Sequence, residues 1–327
     1  MHARLSSKNP MSISPTKYVR IVFKACLGLA LCFSFGPLVH ANTASDRVGF
    51  TISFNGLTSD FNTLMTTVMP SGKVTVKTTA KMVSQAGRLR QTQSGWEWTA
   101  PETPGRYEIR FEKDGEESLL NIFVLTPFKN GTETSLSGYK IGTYRKTLFR
   151  GLKSYTAPKG FIDLSHGPSD LKVSPNFTLG QFICKQQPGH DPTYLLLRPE
   201  TLIKLETLLE AARQKGWSAD TLHIMSGFRT PFYNRSIGNR TTSSRHLYGG
   251  AADIWLDGDG DGRMDDLNED GKINKDDARA LAKLAESLST KGGANWPSGG
   301  LGIYAANSVR GPFIHIDSRG YMARWGQ

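Results

Sequence analysis

Six residues, Ala251-Ala252-Asp253-Ile254-Trp255-Leu256, constrain this chain more than any others. The run is apolar enough to be a buried strand, yet a carboxylate stands in its middle. A buried charge is costly unless it is paired or ligating, so a fold that accepts this strand must bring a partner to Asp253. Just upstream, Ser244-Arg245-His246-Leu247-Tyr248-Gly249-Gly250 sets a histidine in a Gly-rich turn. The small residues between His246 and Asp253 let the backbone curl until both side chains reach one ion. Zinc in a hydrolytic site takes about three protein ligands and keeps one position for water. The third ligand must come from a distant part of the chain, and His315, flanked by Ile314 and Ile316, is the best candidate. Taken singly, His315 reads as a hydrogen-bonded core histidine and Asp253 as a turn cap. His223 also reads as a core histidine, and His166 and His190 lie in Gly/Pro-rich loops.

The rest of the chain divides by pattern. Residues 46–126 alternate as short strands, among them Val48-Gly49-Phe50-Thr51-Ile52-Ser53-Phe54 and Arg106-Tyr107-Glu108-Ile109-Arg110-Phe111, separated by turns such as Pro104-Gly105 and Asp114-Gly115. With Trp96-Glu97-Trp98 ahead of Tyr107, this stretch resembles immunoglobulin-like modules, and an all-β module over 42–126 is expected. Residues 127–170 are richer in Gly, Ser, Thr and Pro and read as a connector. Beyond Leu171 the pattern turns to α+β. Leu202, Ile203, Leu205, Leu208, Leu209 and Ala212 mark a helix ended by Gly216, and a second helix covers Asp277 to Ser289. Short strands at 222–225, 251–256, 301–304 and 313–317 predict a small, mostly antiparallel sheet.

Residues 1–41 hold five basic residues, no acid, and an apolar run from Ala25 to Val39 ahead of Val39-His40-Ala41. That is the pattern of an export signal cleaved after Ala41, which would place the mature protein in the periplasm or outside the cell. The run is short for a membrane span, so no integral span is expected after cleavage. Without these residues, 35 basic groups face 29 acidic ones, a net charge of +6 in place of +11. That balance suits an anionic polymer, and no basic stripe interleaved with aromatics points to nucleic acid. Cys184 alone would remain, so no internal disulfide is available and the thiol reads as a buried filler.

Three motifs, in order, carry a resemblance. Ser244-x-His246-x-x-Gly249-x-Ala251-x-Asp253 looks like the signature of the zinc D-alanyl-D-alanine carboxypeptidase family, peptidoglycan peptidases related to D-Ala-D-Ala dipeptidases and to the hedgehog fold. Ser226-Gly227-Phe228-Arg229-Thr230-Pro231 resembles the family's Ser-Gly-Tyr-Arg stretch, and Phe313-Ile314-His315-Ile316-Asp317 its closing strand. The resemblance covers roughly 171–327. It implies a small antiparallel sheet with helices, zinc on His246, Asp253 and His315, and Arg229 facing a peptidoglycan peptide as an anion or oxyanion holder. Many relatives place a proton acceptor two or three residues before the last histidine. Here those positions hold Phe313 and Pro312, so the base would be Asp317 or His223, or turnover would be lost. Asp317 could equally orient His315.

A different metal is suggested by 257–277. Asp257-Gly258-Asp259-Gly260-Asp261 and Asp266-Leu267-Asn268-Glu269-Asp270-Gly271-Lys272 each resemble an EF-hand or dockerin calcium loop, with oxygens at alternate positions and Gly at the sharp turn. Asp257, Asp259 and Asp261 would serve the first loop. Asp266, Asn268, Asp270, the Lys272 carbonyl and Asp277 would serve the second, the better match. The expectation is therefore an exported zinc peptidase cutting peptidoglycan stem peptides or cross-links, with calcium ordering the rim of its site. Its rivals are a metal-stabilised wall-binding protein without turnover and a calcium-dependent adhesion module.

Overall fold

Apolar residues at every second position make strands that bury one face, and residues 45–126 consist of little else. The computed structural model describes residues 45–291 and 296–326; the export segment expected at 1–41 lies outside them. One sheet holds five strands in the order Leu57–Phe61, Arg47–Phe54, Lys73–Thr78, Gly95–Thr99 and Arg88–Thr92. A second holds four, ordered Thr63–Val68, Glu116–Val124, Gly105–Lys113 and Lys81–Ser84. Inward residues of both, including Ile52, Val74, Trp98, Ile109, Phe111 and Leu120, share one core and are almost fully buried. Each such aromatic or aliphatic burial stabilises the fold by roughly 1.5–3 kcal/mol. The Trp98 indole N–H is satisfied by the Ala86 carbonyl at 2.8 Å, which lets so large a ring sit at the centre.

The segment expected as a connector, 127–170, is packed into the second half. Tyr139, Ile141, Tyr144, Tyr155, Phe161 and Ile162 are buried in the larger core cluster. Gly and Pro set its turns, while its aromatics supply the burial.

In the second half a five-stranded sheet runs Leu222–Ser226, Ala251–Leu256, Phe313–Asp317, Gly300–Tyr304 and Ala323–Trp325. The first four strands pair antiparallel and the last joins in parallel. The helix Pro199–Gln214 opens with proline at its first turn, where no N–H is needed, and buries Leu202, Leu205, Leu208 and Leu209. A second long helix covers Lys275–Lys291. Among the described residues, no helix is long and apolar enough to cross a membrane. The two halves are fastened along Pro199–Gln214. Ile203 enters the core of the β module, Arg47 binds Glu210 at 2.6 Å, and Arg213 binds Asp46 at 3.1 Å. These ion pairs are partly exposed and worth little singly; the buried isoleucine and the shared apolar contact hold the junction.

Candidate metal centre

Asp253 and His315 are directly opposite each other on adjacent antiparallel strands, which brings their Cβ atoms to about 4.5–5.5 Å by ladder geometry alone. His246 arrives from the single turn Arg245–Tyr248. That turn ends at Gly249 with φ +64°, where a Cβ would lie 2.6 Å from the Leu196 carbonyl carbon. Only glycine lets the chain reverse there and re-enter as the Asp253 strand. All three side chains are buried.

Their donor atoms converge. His246 Nε2 lies 3.2 Å from His315 Nδ1 and 3.3 Å from Asp253 Oδ1, and His315 Nδ1 lies 2.8 Å from the same oxygen. The outer nitrogens have acceptors: His246 Nδ1 meets the Gly227 carbonyl at 2.7 Å, and His315 Nε2 meets Asp317 Oδ2 at 3.0 Å. Each outer nitrogen is thus fixed as an N–H donor, so in neutral rings both inner nitrogens present lone pairs to one another and to a carboxylate. That arrangement is repulsive unless a cation lies among them. The separations are also close to the roughly 3.3 Å expected between ligands on a tetrahedral ion with bonds of about 2.0–2.1 Å. The three residues fit zinc.

The titration behaviour has the same origin. Burial opposes charge on His315, but hydrogen bonds to Asp253 and Asp317 outweigh it and push its pKa up. Burial lowers the pKa of His246, and the Arg229 charge adds to this while Asp253 opposes it. Burial alone would raise Asp253; the neighbouring His246 and His315 hold it well below the usual carboxylate range.

Asp317 stands behind His315. It is fully buried, and its Oδ1 accepts from the Gly300 N–H at 2.8 Å and the Arg319 N–H at 3.0 Å. The Arg319 guanidinium closes a two-pronged bond on it, with Nη2 at 2.5 Å from Oδ2. Burial opposes its charge, yet His315 and Arg319 together hold its pKa far down. Arg229 stands on the other flank. Its Nη2 donates to Asp253 Oδ2 and its Nε to Ser226 Oγ at 2.7 Å, which leaves Asp253 Oδ1 aimed at the histidines.

The cluster opens on a cleft of about 740 Å³. Lys185, Arg229, Arg245, Arg310 and Arg319 line it, and Asp253 is the one acidic residue among the described lining residues. Tyr304, stacked on Phe313 at 4.5 Å and accepting from Trp325 Nε1 at 2.8 Å, forms one wall. Neither expected base lines this cleft. Asp317 is tied up behind His315, and His223 is stacked on Trp255 at 4.0 Å, beside Asp257. Arg319 and Trp325 carried no residue-level signal in the sequence of the contacts they make here.

The acidic loops are arranged differently. In the first, Asp257 Oδ2 accepts from Gly262 N–H, Asp259 Oδ1 from Asp261 N–H, and Asp261 Oδ1 from Arg263 N–H. The second repeats this nine residues on. Asp266 Oδ2 accepts from Gly271 N–H, Asn268 Oδ1 from Asp270 N–H, and Asp270 Oδ1 from Lys272 N–H. Asp277 is fully buried and caps Leu267 N–H and Asn274 N–H. The carboxylates within metal-holding distance of each other are Asp257, Asp259 and Asp265. The gathered set therefore falls in the first loop, although the second matches the loop pattern better, and it includes Asp265, which the pattern did not single out. Asp265 stands at the ninth position of such a loop, which often acts through water, and this is the signal that could have found it.

Three buried protein donors with one side open to a cleft have the form of a catalytic metal centre. Residues 175–276 match the family described as Peptidase M15. This match supports the zinc D-Ala-D-Ala peptidase family and implies a metallopeptidase. The matched stretch, about a third of the chain, contains Arg229, His246 and Asp253, whereas His315 lies beyond it. No curated protein and no solved structure matches.

Proposed function

We propose that this protein is a zinc peptidase that hydrolyses amide bonds in peptidoglycan stem peptides or cross-links. The observation that carries the proposal is the convergence of His246 Nε2, Asp253 Oδ1 and His315 Nδ1 at the floor of an open cleft. When bound there, zinc would supply a Lewis acid and lower the pKa of its water toward about 7. The chain's own residues would do the rest. Gly227 and Asp317 hold the two imidazoles in the ligating tautomer. Arg229 fixes the second oxygen of Asp253 and offers positive charge to the cleft, where an oxyanion would form. Lys185 and Arg310, unopposed by lining acids other than Asp253, favour a peptide bearing carboxylates. In this reading Asp317 is a positioning residue and does not act as the base.

Export to the periplasm or cell exterior, where such a substrate is found, belongs to the same proposal, as does calcium on the acidic loops. So does an immunoglobulin-like nature for the β module, supported by the Tyr107 hydroxyl, which reaches back to the Thr103 carbonyl at 3.0 Å as tyrosine corners do. A second reading, wall binding without turnover, is favoured by one observation: no carboxylate other than Asp253 lines the described cleft. Incubating zinc-loaded protein with purified wall fragments separates the two. Released D-alanine or cleaved cross-links, lost in His246→Ala, support the peptidase. Binding without product supports the alternative.

A further inference from the structure

We propose that Lys153–Tyr155, in the segment between the two halves, clamps the metal centre from behind, and that Arg245 is a positioning residue for His246 through this clamp. The inference rests on reading the centre as a zinc site. Ser154 touches both supports of that site. Its carbonyl accepts from Arg245 Nη1 at 2.5 Å and from Arg198 Nη2 at 3.1 Å. Its hydroxyl donates to the Arg319 carbonyl at 2.8 Å. Arg245 directly precedes the ligand His246, and Arg319 binds the carboxylate that orients the ligand His315. One residue thus joins the backing of two ligands that lie 69 positions apart in the chain.

Arg245 is an unusual choice for this place. It is 1% exposed, lies against the Tyr155 ring at 4.6 Å and the Tyr248 ring at 5.4 Å, and has no carboxylate partner among the described residues. Its Nε and Nη2 also lack hydrogen-bond partners there. Stability alone does not account for such a group, because replacing a buried ion with an apolar side chain of similar size is often neutral or stabilising. The surrounding backbone is nevertheless shaped to admit it. A Cβ on Gly250 would lie 2.5 Å from Arg245 Nη2, so glycine leaves the room that the guanidinium occupies. Arg198 continues the brace, with its Nε donating to the Tyr248 carbonyl at 3.1 Å. The one-turn segment carrying His246 is therefore held by its first residue, through Arg245, and by its last, through Arg198. A planar guanidinium can span that gap with directed N–H bonds, where a flexible ammonium would act as a point charge.

The test compares full-length wild type with Arg245→Met and Ser154→Ala. Zinc affinity is read by competition with a chromophoric chelator, ligand geometry by the absorption spectrum of the cobalt form, and fold by melting of the metal-free protein. Arg245→Met is expected to lose about 10–100-fold in zinc affinity, the range for loss of a ligand's outer support. Its cobalt spectrum should change while its metal-free melting temperature stays level or rises. Ser154→Ala keeps the carbonyl and should lose less, in the same direction. Wild-type affinity and spectrum in Arg245→Met overturn the clamp, as does a parallel loss of affinity and melting temperature, which would make Arg245 merely structural. Should Arg245→Met not fold, unchanged affinity in Ser154→Ala overturns the clamp. A wild type that takes up no zinc overturns the zinc reading itself.

Discussion

Two clusters of side chains of metal-ligating type, adjoining in sequence at Asp253 and Asp257, differ in almost every physical respect. His246, Asp253 and His315 come from a turn and two strands, are buried, and have their outer atoms held by Gly227, Arg229 and Asp317. Asp257, Asp259 and Asp265 come from one short loop, are half-buried or exposed, and spend oxygens on their own backbone N–H groups. The first set is assembled by the fold and cannot relax. The second is assembled locally and stays open to water at Asp259 and in part at Asp265, which screens charge there without an ion, while Asp257 Oδ1 is buried without a partner among the described residues. A preorganised buried set favours a small ion with fixed geometry, while a flexible oxygen loop suits calcium.

The largest effect that sharpens this contrast is expected from His315→Ala. It should abolish stoichiometric zinc uptake and product release together, whereas Asp265→Asn should leave zinc content unchanged; metal analysis and the wall-fragment assay check both. Equal zinc loss in the two variants would remove the distinction. Next comes Asp317→Asn, which keeps the shape but weakens the acceptor for His315 Nε2. A loss of about 10–100-fold in zinc affinity is expected by chelator competition. If Asp317 were the base, activity would collapse at full zinc occupancy. The smallest effect concerns the loops. Adding calcium to the zinc-loaded protein should raise its melting temperature, with a gain of about 2.7 kcal/mol at one hundred times the dissociation constant. Asp257→Asn should blunt that response. Removing calcium while zinc stays bound should lower activity only partly. A calcium-indifferent melting curve would break the comparison on the loop side.

The convergence of His246, Asp253 and His315 was legible in sequence because each breaks a local rule: Asp253 and His315 sit inside apolar strands, and His246 sits in a turn rich in glycine. The strands of the β module were legible from alternation, as at Val48, Phe50, Ile52 and Phe54, which all point inward, and those of the second half from short apolar runs that are buried on both faces. The role of Asp317 was not, because an acid two residues past a histidine can face the cleft or the ring, and pairing with Arg319 decides it. The packed state of 127–170 was masked by its Gly and Pro content, although Tyr139, Tyr144 and Tyr155 were there to be buried. The contribution of Ser154 through its carbonyl had no sequence signature, since every residue carries that group.

Anomalous diffraction at the zinc edge, on crystals of the zinc-loaded protein, shows directly whether the three side chains hold the ion. A single strong peak is expected about 2.0–2.1 Å from His246 Nε2 and His315 Nδ1 and in contact with an Asp253 oxygen. A peak only among Asp257, Asp259 and Asp265, or none at all, would contradict the zinc reading.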